Sequence, residues 1–239
     1  MDASLSSQSV PGFFITFEGG EGSGKTTQIE RLAGWLREEG RDVVTTREPG
    51  GSPGADALRY VILSGAAEAF GEEVEAILFA AARADHVAQL IRPALEAGRI
   101  VISDRFHDST RVYQGLGSDM DTELLDCLER AALSGVYPDL TIVLDLPAAD
   151  GLRRAAARRG KALPDRFEKE DVAVHESRRR GFLGIAEMES DRCVVVDARQ
   201  PVNAVADEIA RIVEDRLSAH RLERVGHSLG AAVQGAGGA

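Results

Sequence analysis

Cysteine is almost missing from this chain. Only Cys127 and Cys193 occur in 239 residues, and neither belongs to a CxxC or Cys/His spacing, which excludes a disulfide framework and a thiolate zinc centre. Basic residues are outnumbered, 28 against 39 acidic ones, for a formal charge of -11. Nucleic acid and anionic membranes favour basic surfaces, so neither is expected as a partner. The chain has no run of about 18 apolar residues, and its start, "MDASLSSQSVPG", has neither a basic region nor an apolar one. A soluble, cytoplasmic protein is the expectation. Lysine is scarce as well, at Lys25, Lys161 and Lys169, and Asn203 is the single asparagine.

What is present alternates between two periodicities. "FFITF" (13–17), "DVVTT" (42–46), "IVIS" (100–103), "LTIVLDL" (140–146) and "CVVV" (193–196) are short runs of the kind buried on both faces of a parallel sheet. Between them apolar residues recur at helical spacing: Ile29, Leu32, Ala33 and Leu36; Ile77, Ala81, Ala84, Ala88 and Ile91; Leu124, Leu128, Ala131 and Ala132; Val202, Val205, Ala206, Ile209 and Val213. Strand and helix in alternation predict an α/β doubly wound domain, with its ligands outside the carboxyl ends of the strands. One domain over 12–217 is expected. The polar residues 1–11 and the stretch 218–239, which ends in "GAAVQGAGGA", have little to bury and are expected to be disordered tails.

The most specific motif is Gly19-Gly20-Glu21-Gly22-Ser23-Gly24-Lys25-Thr26, followed by Thr27. It matches GxxxxGK[ST], directly after a strand and directly before an amphipathic helix. Glycines let the backbone amides turn inward onto phosphates, Lys25 reaches the β and γ phosphates of ATP, and the Thr26 hydroxyl is a ligand for Mg2+. Such a loop serves kinases, motors and switches alike. Guanine-specific switches read their base with Asn-Lys-x-Asp, and Asn203 is followed by alanine. A second constellation, "IVISDRFHDSTRVYQG", puts Asp104 and Arg105 at the carboxyl end of a strand. There the carboxylate can orient water on Mg2+ and the guanidinium can grip a phosphoryl group, although a plain Asp–Arg surface pair would look the same in isolation.

Together, "FEGGEGSGKTTQ", "TREPGGSPG", "LFAAARADH", "SDRFHDSTRVYQG", "PDLTIVLDLP" and "RRGKALPDRFEKE" resemble, in order and spacing, the motifs of bacterial thymidylate kinases. The resemblance implies a nucleoside-monophosphate kinase fold of the P-loop class, with strand order 2-3-1-4-5 and a small mobile lid at about 153–167. It further implies Mg2+-dependent transfer of the ATP γ-phosphoryl group to dTMP, and a homodimer. On the acceptor side it implies Glu48 and Pro49 in the turn beside the substrate, Arg59 on its phosphate, Phe79 stacked on thymine and Arg83 at the base's carbonyl edge. Ser109, Tyr113 and Gln114 complete that pocket, with Tyr113 against the sugar. Glu21 falls near the 3′-hydroxyl, pointing away from the ATP phosphates.

Some members of that family carry an arginine inside the phosphate loop; this chain has Gly22-Ser23 there. The missing charge is expected from Arg153, Arg154, Arg158, Arg159, Lys161 and Arg166, with Arg158 and Arg159 as catalytic groups and Glu168 as their partner. Two departures stand out: Phe106 follows Asp-Arg where tyrosine or histidine is common, and Arg111-Val112 replaces smaller residues. Other acceptors for the kinase, or a switch that binds ATP without transfer, stay open. Whether the Glu48–Pro49 peptide is cis is not legible in the sequence.

Overall fold

The computed structural model describes residues 12–115, 120–159 and 170–236. Five strands form, β1 (Phe13–Glu18), β2 (Val43–Arg47), β3 (Ile100–Asp104), β4 (Leu140–Asp145) and β5 (Cys193–Asp197). Neighbours run parallel in the order β2-β3-β1-β4-β5, as the resemblance implied. Parallel strands need long crossovers, and these are helical: α1 (Lys25–Glu38), α2 (Pro53–Leu63), α3 (Glu72–His86), α4 (Arg92–Glu96), α5 (His107–Tyr113), α6 (Thr122–Leu133), α7 (Ala148–Arg159), α8 (Val172–Met188) and α9 (Val202–Ala236). A π-helical turn at Val87–Ile91 joins α3 to α4, just before Pro93, which has no amide hydrogen to give a regular ladder.

The strands are buried on both faces, which is why they read as continuous apolar runs. Along β1 the side chains alternate: Phe13, Ile15 and Phe17 join the α1 and α9 side, where Leu32, Leu36, Val205, Ile209 and Val213 pack, while Phe14 joins Val87, Ile91, Val101, Phe106 and Leu133 on the other. Register then decides where the chemistry falls. Phe17 and Arg47 both lie level with Asp104, so the carboxyl ends of β1, β2 and β3 finish together. Three motifs far apart in sequence thereby meet on one sheet edge.

Two expectations change. On α3 the buried face is Ala76, Ala80, Arg83 and His86, whereas Ile77 is 45% exposed and Ala81, Ala84 and Ala88 also face outward. Periodicity found the helix but not which of two faces packs into the chain, because α3 is apolar on both. The second change is at the C-terminus. Helix α9 passes the expected boundary at 217 and runs to Ala236. Its buried stripe continues through Leu217, and His220 meets the Phe13 ring edge-on with centroids 5.2 Å apart, so the first turn beyond the boundary has something to pack against.

Candidate active site

The loop after β1 lies where its glycines permit. Gly19, Gly22 and Gly24 adopt φ of 133°, 69° and 97°, values that side-chain-bearing residues rarely take. Gly22 also touches α7: a Cβ there would lie 2.0 Å from the Gly151 carbonyl oxygen, and one on Gly151 would lie 2.2 Å from that of Glu21. No side chain fits between loop and helix, which is the physical reason an arginine is not tolerated at Gly22. Helix α1 starts from Gly24 with no side-chain cap and no acidic residue in its first turn. Its leading amides therefore present positive partial charge to an anion. Lys25 is buried and donates to the carbonyls of Gly19 and Gly20, both at 3.0 Å, while Gly20 and Glu21 complete the curl. Ser23 Oγ is buried with no hydrogen-bond partner among the described residues, and Thr27 is exposed on the first turn of α1.

Burial pushes the Lys25 ammonium down from its usual range, with the Arg105 charge acting in the same direction. Beside it the Thr26 hydroxyl donates to Asp104 Oδ2 at 2.9 Å. Two hard oxygen donors thus stand at the mouth of the loop, a set suited to Mg2+ completed by phosphate and water.

Arg105 occupies left-handed backbone, φ 71°, at a cost of about 1–3 kcal/mol for a residue with a side chain. The turn is pinned from three sides: its amide donates to Phe17 O at 2.9 Å, its carbonyl accepts from Ser103 Oγ at 2.8 Å, and the next amide, of Phe106, donates to Glu18 Oε1 at 2.8 Å. So held, the guanidinium donates to Glu21 Oε1 at 2.5 Å, Ser109 Oγ at 3.1 Å and Gly19 O at 3.3 Å. Burial opposes ionisation of Glu21, but Arg105 and then Lys25 outweigh it and bring its pKa down to about 2. Tyr113 also donates to Glu21, at 3.3 Å. The carboxylate inside the phosphate loop is therefore turned toward Arg105 and Tyr113, away from the amide cradle.

A buried relay forms the opposite wall. Thr46 Oγ1 and His86 Nε2 are 2.7 Å apart, His86 Nδ1 is 3.0 Å from Glu48 Oε1, and Glu48 Oε2 accepts from Arg83 Nε at 2.7 Å. Arg83, only 3% exposed, also donates to the Phe106 carbonyl and lies over that ring. Glu48 thus orients Arg83 rather than standing open. The Glu48–Pro49 peptide is cis, and the Pro49 carbonyl accepts from Arg59 at 2.6 Å. Gln114 is buried and donates to Glu75. Phe106 is wholly in the core, edge-on to Phe14, while Arg111 turns away to Glu129 and Glu189. Arg111 is thereby drawn away from the cleft, whereas Phe106 lines it and its carbonyl helps to hold Arg83.

These residues surround one cleft of about 330 Å³. Its walls include Lys25, Thr26, Asp104 and Arg105 at one end and Glu48, Pro49, Arg59, Phe79, Arg83 and Gln114 at the other, with Glu21, Ser109 and Tyr113 between. Arg158 reaches it from α7. Of the other basic residues, Arg153 pairs with Asp150 and Arg154 donates to the Ala198 carbonyl. The Arg159 side chain, Lys161, Arg166 and Glu168 lie outside the described residues, as does most of the expected lid.

Comparison with known proteins agrees with this geometry. A family profile described as "Thymidylate kinase" matches residues 17–209. The chain belongs to the thymidylate kinase family. Its relatives include the thymidylate kinase of Caulobacter vibrioides, 52% identical over 206 residues that cover 86% of this chain and 98% of that protein. The thymidylate kinase of Bartonella quintana is 51% identical over 204 residues, covering 85% and 95%. This chain is accordingly a nucleoside-monophosphate kinase, a phosphotransferase.

Sequence reasoning missed two residues of this kinase's site. Glu18 is fully buried and accepts from Phe106 N, Ser109 N and Ser109 Oγ, tying the end of β1 to the Arg105 turn. Burial first, then the nearby Asp108 charge, push its carboxyl up to about 7. A carboxylate closing the run "FFITFE" was its visible signal. His86 completes the relay behind Arg83, and a lone histidine on a helix carries no signal of that kind.

Proposed function

We propose that this kinase transfers the γ-phosphoryl group of ATP to dTMP in a Mg2+-dependent reaction, giving dTDP and ADP for dTTP and DNA precursor synthesis in the cytoplasm. The observation that carries the proposal is the single cleft joining a phosphate loop to a second pocket walled by Phe79, Arg83 and Tyr113. A switch that only senses ATP has no use for an acceptor site.

In this reading a phosphate oxygen of dTMP forms the new bond to the γ phosphorus while the bond to the β-phosphate bridging oxygen breaks. Lys25 and the α1 amides hold the donor phosphates, and Arg105, with Arg158 and Arg159 of the lid, carries positive charge to the moving group. Thr26 and Asp104 would hold Mg2+, which supplies charge neutralisation at the β and γ oxygens. Arg59 takes the acceptor phosphate, Phe79 stacks on the base, Arg83 meets its carbonyl edge, and Tyr113 crowds the position of a 2′-hydroxyl. Glu21 orients Arg105 and faces the 3′-hydroxyl. We further propose a homodimer, supported by the outward apolar side chains of α2, α3 and the turn between them: Tyr60 is 79% exposed and Phe70 70%, with Val61, Val74 and Ile77 also open.

A coupled assay of ADP release with dTMP, dUMP, dCMP and AMP tests the acceptor. The expected order has dTMP best and dUMP about 10–200-fold weaker, the worth of one methyl group in an apolar pocket. Equal rates with AMP would overturn the thymidylate reading while leaving the kinase intact.

A further inference from the structure

Arg178, on α8, is an arginine that the mechanism above does not use. It is 9% exposed, which is rare for an arginine without a specific task. Its guanidinium carbon lies 4.2 Å from the centroid of the Tyr113 ring, nearer than that of Arg105 at 5.1 Å. The same guanidinium makes a two-pronged ion pair with Glu170, the first described residue after the basic stretch. Phe182, one turn further along α8, meets the Tyr113 ring edge-on at 6.4 Å. The ring is thus located by two cations, one aromatic edge and the hydrogen bond of its hydroxyl to Glu21. Guanidinium groups favour flat contact with aromatic faces, and a pair withdrawn from water is stronger than an exposed one.

We propose that Arg178 is a positioning residue for the acceptor sugar: it fixes the Tyr113 ring at the sugar end of the cleft, and Glu170 in turn fixes Arg178. The proposal rests on the reading that Tyr113 faces the sugar. If Tyr113 excludes a 2′-hydroxyl by occupying its place, the tolerance of that exclusion depends on how firmly the ring is held. Phe182 supplies an edge and Arg105 a more distant cation, whereas Arg178 lies over the ring at 4.2 Å and is itself held by Glu170.

The experiment compares Arg178→Met, which keeps most of the volume, with Arg178→Lys, Tyr113→Ala and the double variant Arg178→Met/Tyr113→Ala. KM and kcat are measured for dTMP, for its ribose counterpart and for ATP, alongside thermal unfolding. Arg178→Met is expected to raise the dTMP KM about 3- to 30-fold, the range of a partly to fully desolvated cation–ring contact, and to shrink the deoxyribose preference with the ATP KM unchanged. Arg178→Lys is expected to recover part of both, and the double variant to lose no more discrimination than Tyr113→Ala alone. Wild-type dTMP KM and discrimination in Arg178→Met, with Tyr113→Ala impaired, would overturn the role of Arg178. A lowered melting temperature and kcat with no change in either KM or in discrimination would do so too, by making the contact purely structural. Should Arg178→Met not fold, Arg178→Lys and Glu170→Gln carry the test, with the same shifts at smaller size expected and wild-type values overturning it. Unchanged discrimination in Tyr113→Ala would instead remove Tyr113 from the sugar site, a separate failure.

Discussion

Glu21 and Glu18 stand three residues apart on either side of the start of the phosphate loop, and their surroundings drive them in opposite directions. Glu21 faces Arg105 and Lys25, which keep it ionised down to a pKa of about 2. Glu21→Gln removes the charge that locates Arg105, so the dTMP KM is expected to rise roughly tenfold or more, the scale of a charged hydrogen bond, with ATP affinity little changed. Steady-state kinetics with each substrate varied in turn will check this; a selective loss of ATP affinity would refute it. Glu18 is buried against Asp108, with Lys25, Arg105 and Ser109 also facing it, and its carboxyl titrates near 7 rather than 4.5. Between those values the folded chain holds a proton that the unfolded chain has released, so this group's contribution to stability falls as pH rises through that window and is level above it. Buried His107, its pKa pushed down to about 3, contributes an opposite slope below about 6.5 that both proteins share, so urea unfolding from pH 5 to 8 should show a slope that is more downward in the wild type than in Glu18→Gln. Equal slopes would place the titration elsewhere.

At the scale of elements, the decisive contact is between the loop and the first turn of α7. Gly22 and Gly151 meet backbone to backbone, with no room for a methyl group on either. The phosphate loop is thereby packed directly on the helix that leads into the basic stretch. Gly151→Ala is therefore expected to displace the loop, raising the ATP KM and lowering kcat by about tenfold or more and costing roughly 1–3 kcal/mol of stability, as overpacking does. Kinetics together with thermal unfolding measure both effects; a variant with wild-type ATP KM would mean that the loop adjusts independently of α7. The same contact leaves no room for a cationic side chain at Gly22, whereas Arg158, near the end of α7, reaches the cleft.

On the scale of the whole molecule, α3 has two apolar faces and packs within the chain chiefly against α2 and α6. Ala76, Ala80 and His86 are buried within the chain, while Ile77, with Val74 and the outward alanines, is exposed and is the face the proposed homodimer would cover. Ile77→Asp is expected to give a monomer in sedimentation velocity where the wild type sediments as a dimer. A wild-type monomer, or a dimer untouched by the substitution, would set the homodimer aside.

Strand positions, the sheet class and the phosphate loop could be read directly from the sequence, because each depends on local chemistry: β-branched runs buried on both faces, glycines where φ must be positive, a lysine and a threonine at fixed offsets. The roles proposed for Phe79, Arg83 and Tyr113 rest only on likeness to a family, since an aromatic and an arginine four residues apart have no chemistry of their own to declare. What tertiary structure alone decided depends on pairing between distant segments. The register that sets Phe17 and Arg47 beside Asp104 brings the three motifs to one edge. The burial of Glu18 under the Arg105 turn, the outward face of α3, and Arg178 against Tyr113 all follow from which surfaces meet after the sheet has formed. Periodicity along one segment carries no record of those meetings.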